Sequence, residues 1–338
     1  MTAKRAFTKA DPAAPRLTTS AMIASLAAEG QRTKPAPFGH ALAELAQSRP
    51  EIVGLTADLG KYTDLHIFAR AHPDRYYQMG MAEQLLMAAA GGMAREGFIP
   101  FATTYAVFAA RRAYDFICMA IAEENLPVKV ICALPGLTTG YGPSHQATDD
   151  LAIFRAMPNL TVIDPCDAHE IEQVVPAIAD HPGPVYMRLL RGNVPLVLDE
   201  YGYKFELGKA AVLRDGTDVQ FISTGFMTMR ALEAADALRA DRIDAGVLHV
   251  PTLKPLDEAA ILKAAAKPGR LLVVAENHSV IGGLGEAVAG VLMRAGVHPP
   301  FRQVGLPDAF LDAGALPTLH DRYGISTTAL TTRVKHWL

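Results

Sequence analysis

Short apolar runs that do not alternate with polar residues, separated by helical patterns, constrain this chain more than any other feature. Pro127–Leu134 (PVKVICAL) is the clearest. A strand with one wet face alternates apolar and polar residues. A strand that is apolar throughout needs cover on both faces, which a parallel sheet with crossover helices supplies. From Glu51 onward the pattern predicts strands at Ile52–Thr56, Phe98–Ala102, Pro127–Leu134, Leu160–Asp164 and Pro184–Leu189. Between them it predicts helices at Ala82–Arg95, Ala106–Ala122 and Asp167–Asp180, the last capped by Asp167. Near Gly192–Gly208 the alternation breaks, and Pro195, Asp199, Glu200, Gly202 and Gly208 indicate an exposed linker. It resumes with strands at Val219–Ser223, Ala245–His249, Leu271–Ala275 and Phe301–Val304, and helices at Met227–Arg239, Leu256–Ala266 and Gly285–Arg294. The expectation is an α/β protein of two three-layer domains, 36–192 and 207–338, joined by a linker at 193–206. An N-terminal arm, 1–35, precedes them, with one helix around Ser20–Gly30.

Composition excludes several classes of partner. The 32 Lys and Arg against 35 Asp and Glu leave a formal charge of −3 and no basic stripe for nucleic acid or an anionic membrane. No apolar run reaches the ~20 residues a membrane helix needs. The basic start, Met1–Ala10, is not followed by the apolar core of a signal peptide, so a soluble cytoplasmic protein is expected. Cys118, Cys132 and Cys166 lack metal-ligand spacing, and buried free thiols are expected.

Four places carry chemistry. Glu83 opens a helix after a strand-like piece, Arg75–Met79. A carboxylate in a first helical turn is already explained by the helix dipole. The company of Met79, Met81, Leu85, Leu86 and Met87 adds a second reading, because a carboxyl group in apolar surroundings tends to hold or share a proton. Tyr105 and Phe108, three residues apart, share a helix face and serve equally as core or as walls for a flat heterocycle. Arg111 and Arg112 follow them and are solvated unless they face an anion. Leu134–Gln146 holds three glycines and two prolines and forms a loop at a strand's carboxyl end, where ligands of open α/β sheets bind. His145 in that loop suits proton transfer near neutral pH. Arg191, beyond the strand ending at Leu189, is placed for a salt bridge or a bidentate phosphate contact. Gly282-Gly283-Leu284-Gly285 is a weak dinucleotide fingerprint, better explained by tight packing of loop on helix.

In this order the pieces resemble the C-terminal half of the transketolase family, a pyrimidine-binding domain followed by a transketolase C-terminal domain. Five motifs carry the resemblance: Thr56-Ala-Asp-Leu59, Met81-Ala-Glu-Gln84, the Phe108 region, Gly142-Pro-Ser-His-Gln146 and Arg191-Gly-Asn193. Asn277–Gly285 is similar to the family's C-terminal signature. The resemblance implies a thiamine diphosphate-dependent transferase of carbohydrate metabolism. It implies that Glu83 bonds and activates the cofactor's aminopyrimidine ring, that Phe108 stacks on that ring, that Tyr105 lines the pocket, and that Asp58 lies near the cofactor at a subunit interface. It implies substrate contacts for His145, Arg191 and Arg112, with His145 also catalytic and Arg191 on the substrate phosphate.

The Gly-Asp-Gly motif that holds magnesium and diphosphate in full-length members is missing, and Asp149-Asp150 does not replace it. The resemblance therefore implies the C-terminal subunit of a split transketolase. An N-terminal partner would hold the Mg2+ and the diphosphate, in an α2β2 heterotetramer in which this chain also self-associates. Its reaction would move a two-carbon ketol unit from a ketose phosphate to an aldose phosphate. The beta subunit of a 2-oxo acid dehydrogenase and a 1-deoxyxylulose-5-phosphate synthase-like subunit are the alternatives. Tyr141 stands where the family usually has aspartate, a histidine is missing near Ala133, and an arginine near Pro35–Phe38 is unmatched. These departures point to altered sugar specificity.

Overall fold

The computed structural model describes residue 26 and residues 30–338. The helix expected around Ser20–Gly30 and most of the expected arm lie outside the described residues.

Fourteen strands among the described residues form three sheets. The first runs β12-β6-β7-β5-β4-β2-β3. It comprises β2 (Ile52–Thr56), β3 (Tyr76–Gln78), β4 (Ile99–Tyr105), β5 (Lys129–Ala133), β6 (Thr161–Ile163), β7 (Val185–Leu189) and β12 (Thr252–Lys254). All its pairings are parallel except that of β12 with β6. Every residue of β2, β5 and β7 is buried, and since neighbouring side chains point to opposite faces, both faces are covered. The cover comes from α1 (Pro37–Leu45), α2 (His66–Ala71), α3 (Glu83–Arg95), α4 (Ala106–Arg112), α5 (Tyr114–Ile117), α6 (Asp150–Ala156) and α7 (Ala168–Asp180).

The second sheet runs β14-β13-β10-β11-β9, with only β9 (Ala211–Arg214) antiparallel. Its other strands are β10 (Val219–Ser223), β11 (Ala245–His249), β13 (Leu271–Ser279) and β14 (Phe301–Leu306). Helices α8 (Phe226–Arg239), α9 (Glu258–Ala265), α10 (Leu284–Arg294), α11 (Leu316–Tyr323) and α12 (Thr327–Trp337) complete this half. The third sheet pairs β1 (Thr33–Pro35) with β8 (Asn193–Pro195), so the end of the expected arm is a strand. No described helix is long and apolar enough to cross a membrane.

Three local expectations change. The helix expected over Ala106–Ala122 is interrupted at Ala113 into α4, α5 and a π-turn over Cys118–Ala122, closed by Glu123 N donating to Cys118 O at 2.9 Å. Across the break α4 reaches the loop after β5, where Arg111 donates to Pro143 O at 3.1 Å, while α5 and the π-turn pack on α3. The strand expected to end at Ala275 continues to Ser279. Its added polar residues, Glu276, Asn277 and His278, are buried with bonded side chains. The linker is not exposed throughout: Val194, Leu198 and Tyr203 are buried. Asp167, besides capping α7, accepts from Val197 N and Leu198 N, both at 2.7 Å. Acidic residues on the linker's outer side give it a solvated composition that hides this docking.

Between the two halves lies a buried ionic cluster. Arg188, 1% exposed, donates to Asp150 (2.8 and 2.5 Å), to Asp164 (3.1 Å) and to the Asn277 carbonyl (3.1 Å). Burial pushes the Asp164 carboxyl up to about 6. Burial is the largest influence on Asp150 and would raise it too, but the Arg188 charge, the hydrogen bonds from Arg188 and Tyr186 and the nearby His278 together hold that carboxyl below its usual range. The three cysteines are free, with Cys132 and Cys166 buried. The glycines of the 282–285 segment serve packing, as expected: a Cβ at Gly283 would collide with the Glu276 carboxylate, which accepts from Leu284 N and Gly285 N at 2.6 and 2.8 Å.

Candidate functional site

Because β2, β3, β4, β5 and β7 run parallel, their carboxyl ends share one edge, where the outgoing loops leave room for a ligand. All the expected site residues stand on that edge. Asp58 follows β2, Glu83 opens α3 beyond β3, Tyr105 ends β4, and Phe108 and Arg112 lie on α4. His145 is in the loop after β5, and Arg191 follows β7.

Glu83 is 4% exposed, and Arg112 Nη1 donates to its Oε1 at 3.2 Å. The apolar surroundings expected for it are half realised. Leu86 and Met87 are buried, but Met81 and Leu85 are 82% and 54% exposed, and the partner that reaches the carboxylate is a cation. Successive helical residues are ~100° apart, so an α3 apolar on most sides buries one stripe and turns the other outward.

The Phe108 ring lies 5.5 Å from Tyr105 and 5.5 Å from His145, centroid to centroid. His145 is 6.0 Å from Tyr105 and 5.2 Å from Tyr141. The Arg112 guanidinium carbon stands 3.9 Å from the Phe108 centroid. Glu83, Arg112, Phe108, Tyr105 and His145 thus form one continuous chain of contacts, walled by Tyr141. The Tyr141 hydroxyl is buried and makes no hydrogen bond. Ser144 Oγ lies 2.9 Å from His145 Nδ1. Burial, and after it the Arg112 charge, hold the His145 imidazole below its ordinary value.

Arg191 lies on the other flank, its guanidinium carbon 5.8 Å from the Tyr62 centroid. Burial raises the Tyr105 phenol and the Arg191 charge opposes that rise. Burial likewise raises the Asp64 carboxyl, which accepts from Gly192 N at 2.9 Å. Gly192 has φ 69°, a left-handed turn that carries the chain sharply away after Arg191. Asp58 stands apart from the aromatic cluster, exchanging hydrogen bonds with Gln78 at 2.7 and 3.3 Å.

Several contributors escaped the sequence reading. Arg111, expected to be solvated, clamps the histidine loop by donating to Pro143 O at 3.1 Å and Asp149 Oδ1 at 3.0 Å. Its only signal was its place beside Arg112. Tyr62 follows β2 by a short turn, and its signal was its position at a strand's carboxyl end.

A flat aminopyrimidine needs an aromatic face and a carboxylate at its edge. The planar Arg112 guanidinium already makes both contacts, so Phe108 and Glu83 fit such a ring. Among the described residues no group of three or more His, Cys, Asp or Glu side chains is gathered to hold a metal ion.

Residues 34–197 match the family model "Transketolase, pyrimidine binding domain", and residues 208–330 match "Transketolase, C-terminal domain". An uncharacterized transketolase family protein of Sinorhizobium fredii is 75% identical over 325 residues, covering 96% of this chain and 94% of its own. The 6-deoxy-6-sulfo-D-fructose transketolase subunit of a Clostridium species is 40% identical over 286 residues, covering 84% and 88%. Among solved structures, a split gene transketolase described as an inactive beta4 tetramer superposes with a TM-score of 0.82 at 42% identity, over 89% of this chain and 97% of that one.

Proposed function

Because this chain belongs to the transketolase family, we propose that it is the C-terminal subunit of a split, thiamine diphosphate-dependent transketolase. In this reading it moves a two-carbon ketol unit from a ketose phosphate to an aldose phosphate. The observation that carries it is Glu83, buried at the mouth of α3 and joined through Arg112 and Phe108 to His145.

The cofactor would supply a nucleophilic carbon that cleaves and re-forms the bond beside a ketone. The chain's own residues do the rest. Glu83 holds the aminopyrimidine edge and the proton shared there. Phe108 and Tyr105 present aromatic surface to the ring and exclude water from it. His145 meets the sugar hydroxyls and moves a proton at one of them. Arg191 holds the terminal anion, and Arg112 offers a second cation once it leaves Glu83. Asp58 lies on the exposed edge, at the side where another subunit would close the site.

No Gly-Asp-Gly motif occurs in the sequence. In our reading Mg2+ and the diphosphate are held mainly by an N-terminal partner subunit, in a cytoplasmic α2β2 heterotetramer in which this chain also contacts its copy. The relative acting on 6-deoxy-6-sulfofructose supports a donor whose anionic end need not be phosphate. A second reading, a 1-deoxyxylulose-5-phosphate synthase-like condensation, is supported by Arg112 in Arg112-Ala-Tyr-Asp115, which resembles a substrate-contacting arginine of those synthases.

The test pairs this chain with a partner chain carrying Gly-Asp-Gly…Asn and measures ketol transfer between sugar phosphates, with pyruvate as an alternative donor. Glu83→Gln should abolish transfer by ~100-fold or more while the complex still assembles. Unchanged activity in that variant would sink the catalytic reading, and product formed only from pyruvate would favour the second.

A further inference from the structure

Both main-chain polar groups of Leu137 are held by side chains of the C-terminal domain. Its N–H donates to Asn277 Oδ1 at 2.9 Å, and its carbonyl accepts from His320 Nε2 at 2.8 Å. Both side chains come from the interior: Asn277 is 2% and His320 3% exposed. Asn277 is itself fixed, because its own carbonyl accepts from Arg188 at 3.1 Å. Burial drops the His320 imidazole to about 4, so at neutral pH it is the uncharged tautomer with Nε2 as donor.

Leu137 lies in the loop that carries Tyr141 and His145. The loop closes at its neck, with Gly136 N donating to Ala147 O at 2.9 Å, and has no ladder of its own beyond that. Its far side also rests on the C-terminal domain. Gly314 N donates to Gly140 O at 3.0 Å, and Gln146 Nε2 donates to Asp312 O at 3.2 Å while its second bond, to Thr139 O at 3.2 Å, stays within the loop. Contact is so close that a Cβ at Gly140 would collide with the Gly314 carbonyl oxygen. Inside the loop there are short-range bonds, such as His145 N to Gly142 O at 3.0 Å and Thr138 Oγ1 to Pro135 O at 2.9 Å. Its placement against the aromatic cluster therefore leans on contacts from outside it, those of the C-terminal domain together with Arg111 on Pro143 O.

We infer that Asn277 and His320 are positioning residues that hold His145 against Tyr105 and Phe108, so that the C-terminal domain sets the geometry of a site it does not line. The inference rests on the reading of His145 as a substrate-contacting residue. A misplacement of ~1 Å at a reacting group costs on the order of 100-fold in rate. Loss of either anchor should therefore be felt in turnover rather than in cofactor binding, since Glu83 and Phe108 stand on other elements, α3 and α4.

The test compares Asn277→Ala, His320→Phe and His320→Gln with the parent chain by amide hydrogen exchange. It then compares their complexes with the partner subunit by thiamine diphosphate titration and steady-state kinetics. Residues 135–147 should exchange at least ~10-fold faster in Asn277→Ala and His320→Phe, with α3 and α4 unchanged. In those two variants kcat should fall ~10- to 100-fold while cofactor affinity holds within about twofold. His320→Gln, which keeps a side-chain N–H donor, should recover most of the rate. Unchanged loop exchange, acceleration across both domains, or faster loop exchange without loss of kcat would each overturn the inference. A parent complex that transfers no ketol group, while loop exchange responds as expected, removes the functional reading and leaves the anchoring supported.

Discussion

Arg112 bonds Glu83 at 3.2 Å and at the same time stacks on Phe108 at 3.9 Å. One planar cation thus makes the two contacts that an aminopyrimidine ring would make, so cofactor entry has to displace it from at least one of them.

Replacing Arg112 by Met removes that competitor. Glu83 is buried but the Arg112 side chain is 54% exposed, so solvent screens their ion pair to ~1 kcal/mol or less, and an exposed cation–π contact adds ~0.5–1 kcal/mol. Thiamine diphosphate should bind the assembled complex of Arg112→Met ~3- to 10-fold more tightly, as read by calorimetry. Weaker binding would mean that the guanidinium supports the cofactor instead of standing in its place.

His145 sets a pH dependence. Its folded value lies below the ordinary imidazole value of 6.5, through burial first and the Arg112 charge second. The neutral base therefore persists further into acid, and kcat/KM should hold level below the usual imidazole range before it falls. In Arg112→Met one opposing charge is gone, so the acid limb should move to higher pH. An acid limb that stays in place in the variant would remove Arg112 from the electrostatics of His145.

Arg188→Met should destabilise the chain by ~3–5 kcal/mol in urea, because it leaves Asp150 and Asp164 buried without their cation. Since the same guanidinium bonds the Asn277 carbonyl of the other half, loss of cooperativity between the two domains should accompany the shift in midpoint. A variant within ~1 kcal/mol of the parent would show the cluster to be replaceable by apolar packing.

Two adjacent glycines on α3 should respond in opposite directions. A Cβ at Gly91 would run into the main-chain carbonyl of Ala120, whereas one at Gly92 meets nothing within 4 Å. Gly92→Ala should stabilise by ~0.5–1 kcal/mol through helix propensity. Gly91→Ala should destabilise by ~1–3 kcal/mol because α3 must retreat from the π-turn. Equal shifts in the denaturation midpoint would contradict the close helix approach.

The parallel architecture was legible because buried parallel strands need no polar alternation, and Ile52–Thr56, Val219–Ser223 and Ala245–His249 recur with the predicted bounds. The gathering of Glu83, His145 and Arg191 on one sheet edge was legible because each was expected beyond a strand's carboxyl end, whereas Asp58 and Arg112 were named only through the resemblance. Contacts across long sequence separations left no local trace. Nothing near Leu137 indicates that residues 277 and 320 hold its backbone, and no propensity places Thr252–Lys254 beside Ile163. The break at Ala113 was missed because Ala and aromatic residues fit an unbroken helix as well as a bent one. Docking of the linker was missed because Asp199 and Glu200 dominate its composition while Val194 and Leu198 do the packing.

Strand β12 follows the linker in the chain, yet it closes the free edge of the first sheet by pairing with β6. The seam between the halves is therefore not where the polypeptide crosses from one to the other. A chimera that joins the first half of one relative to the second half of another would exchange an edge strand of the recipient's sheet along with the donated module. Recombination at the linker would be tolerated only between parents whose 252–254 and 161–163 segments are interchangeable. The two halves are in this sense heritable together, although each carries its own sheet.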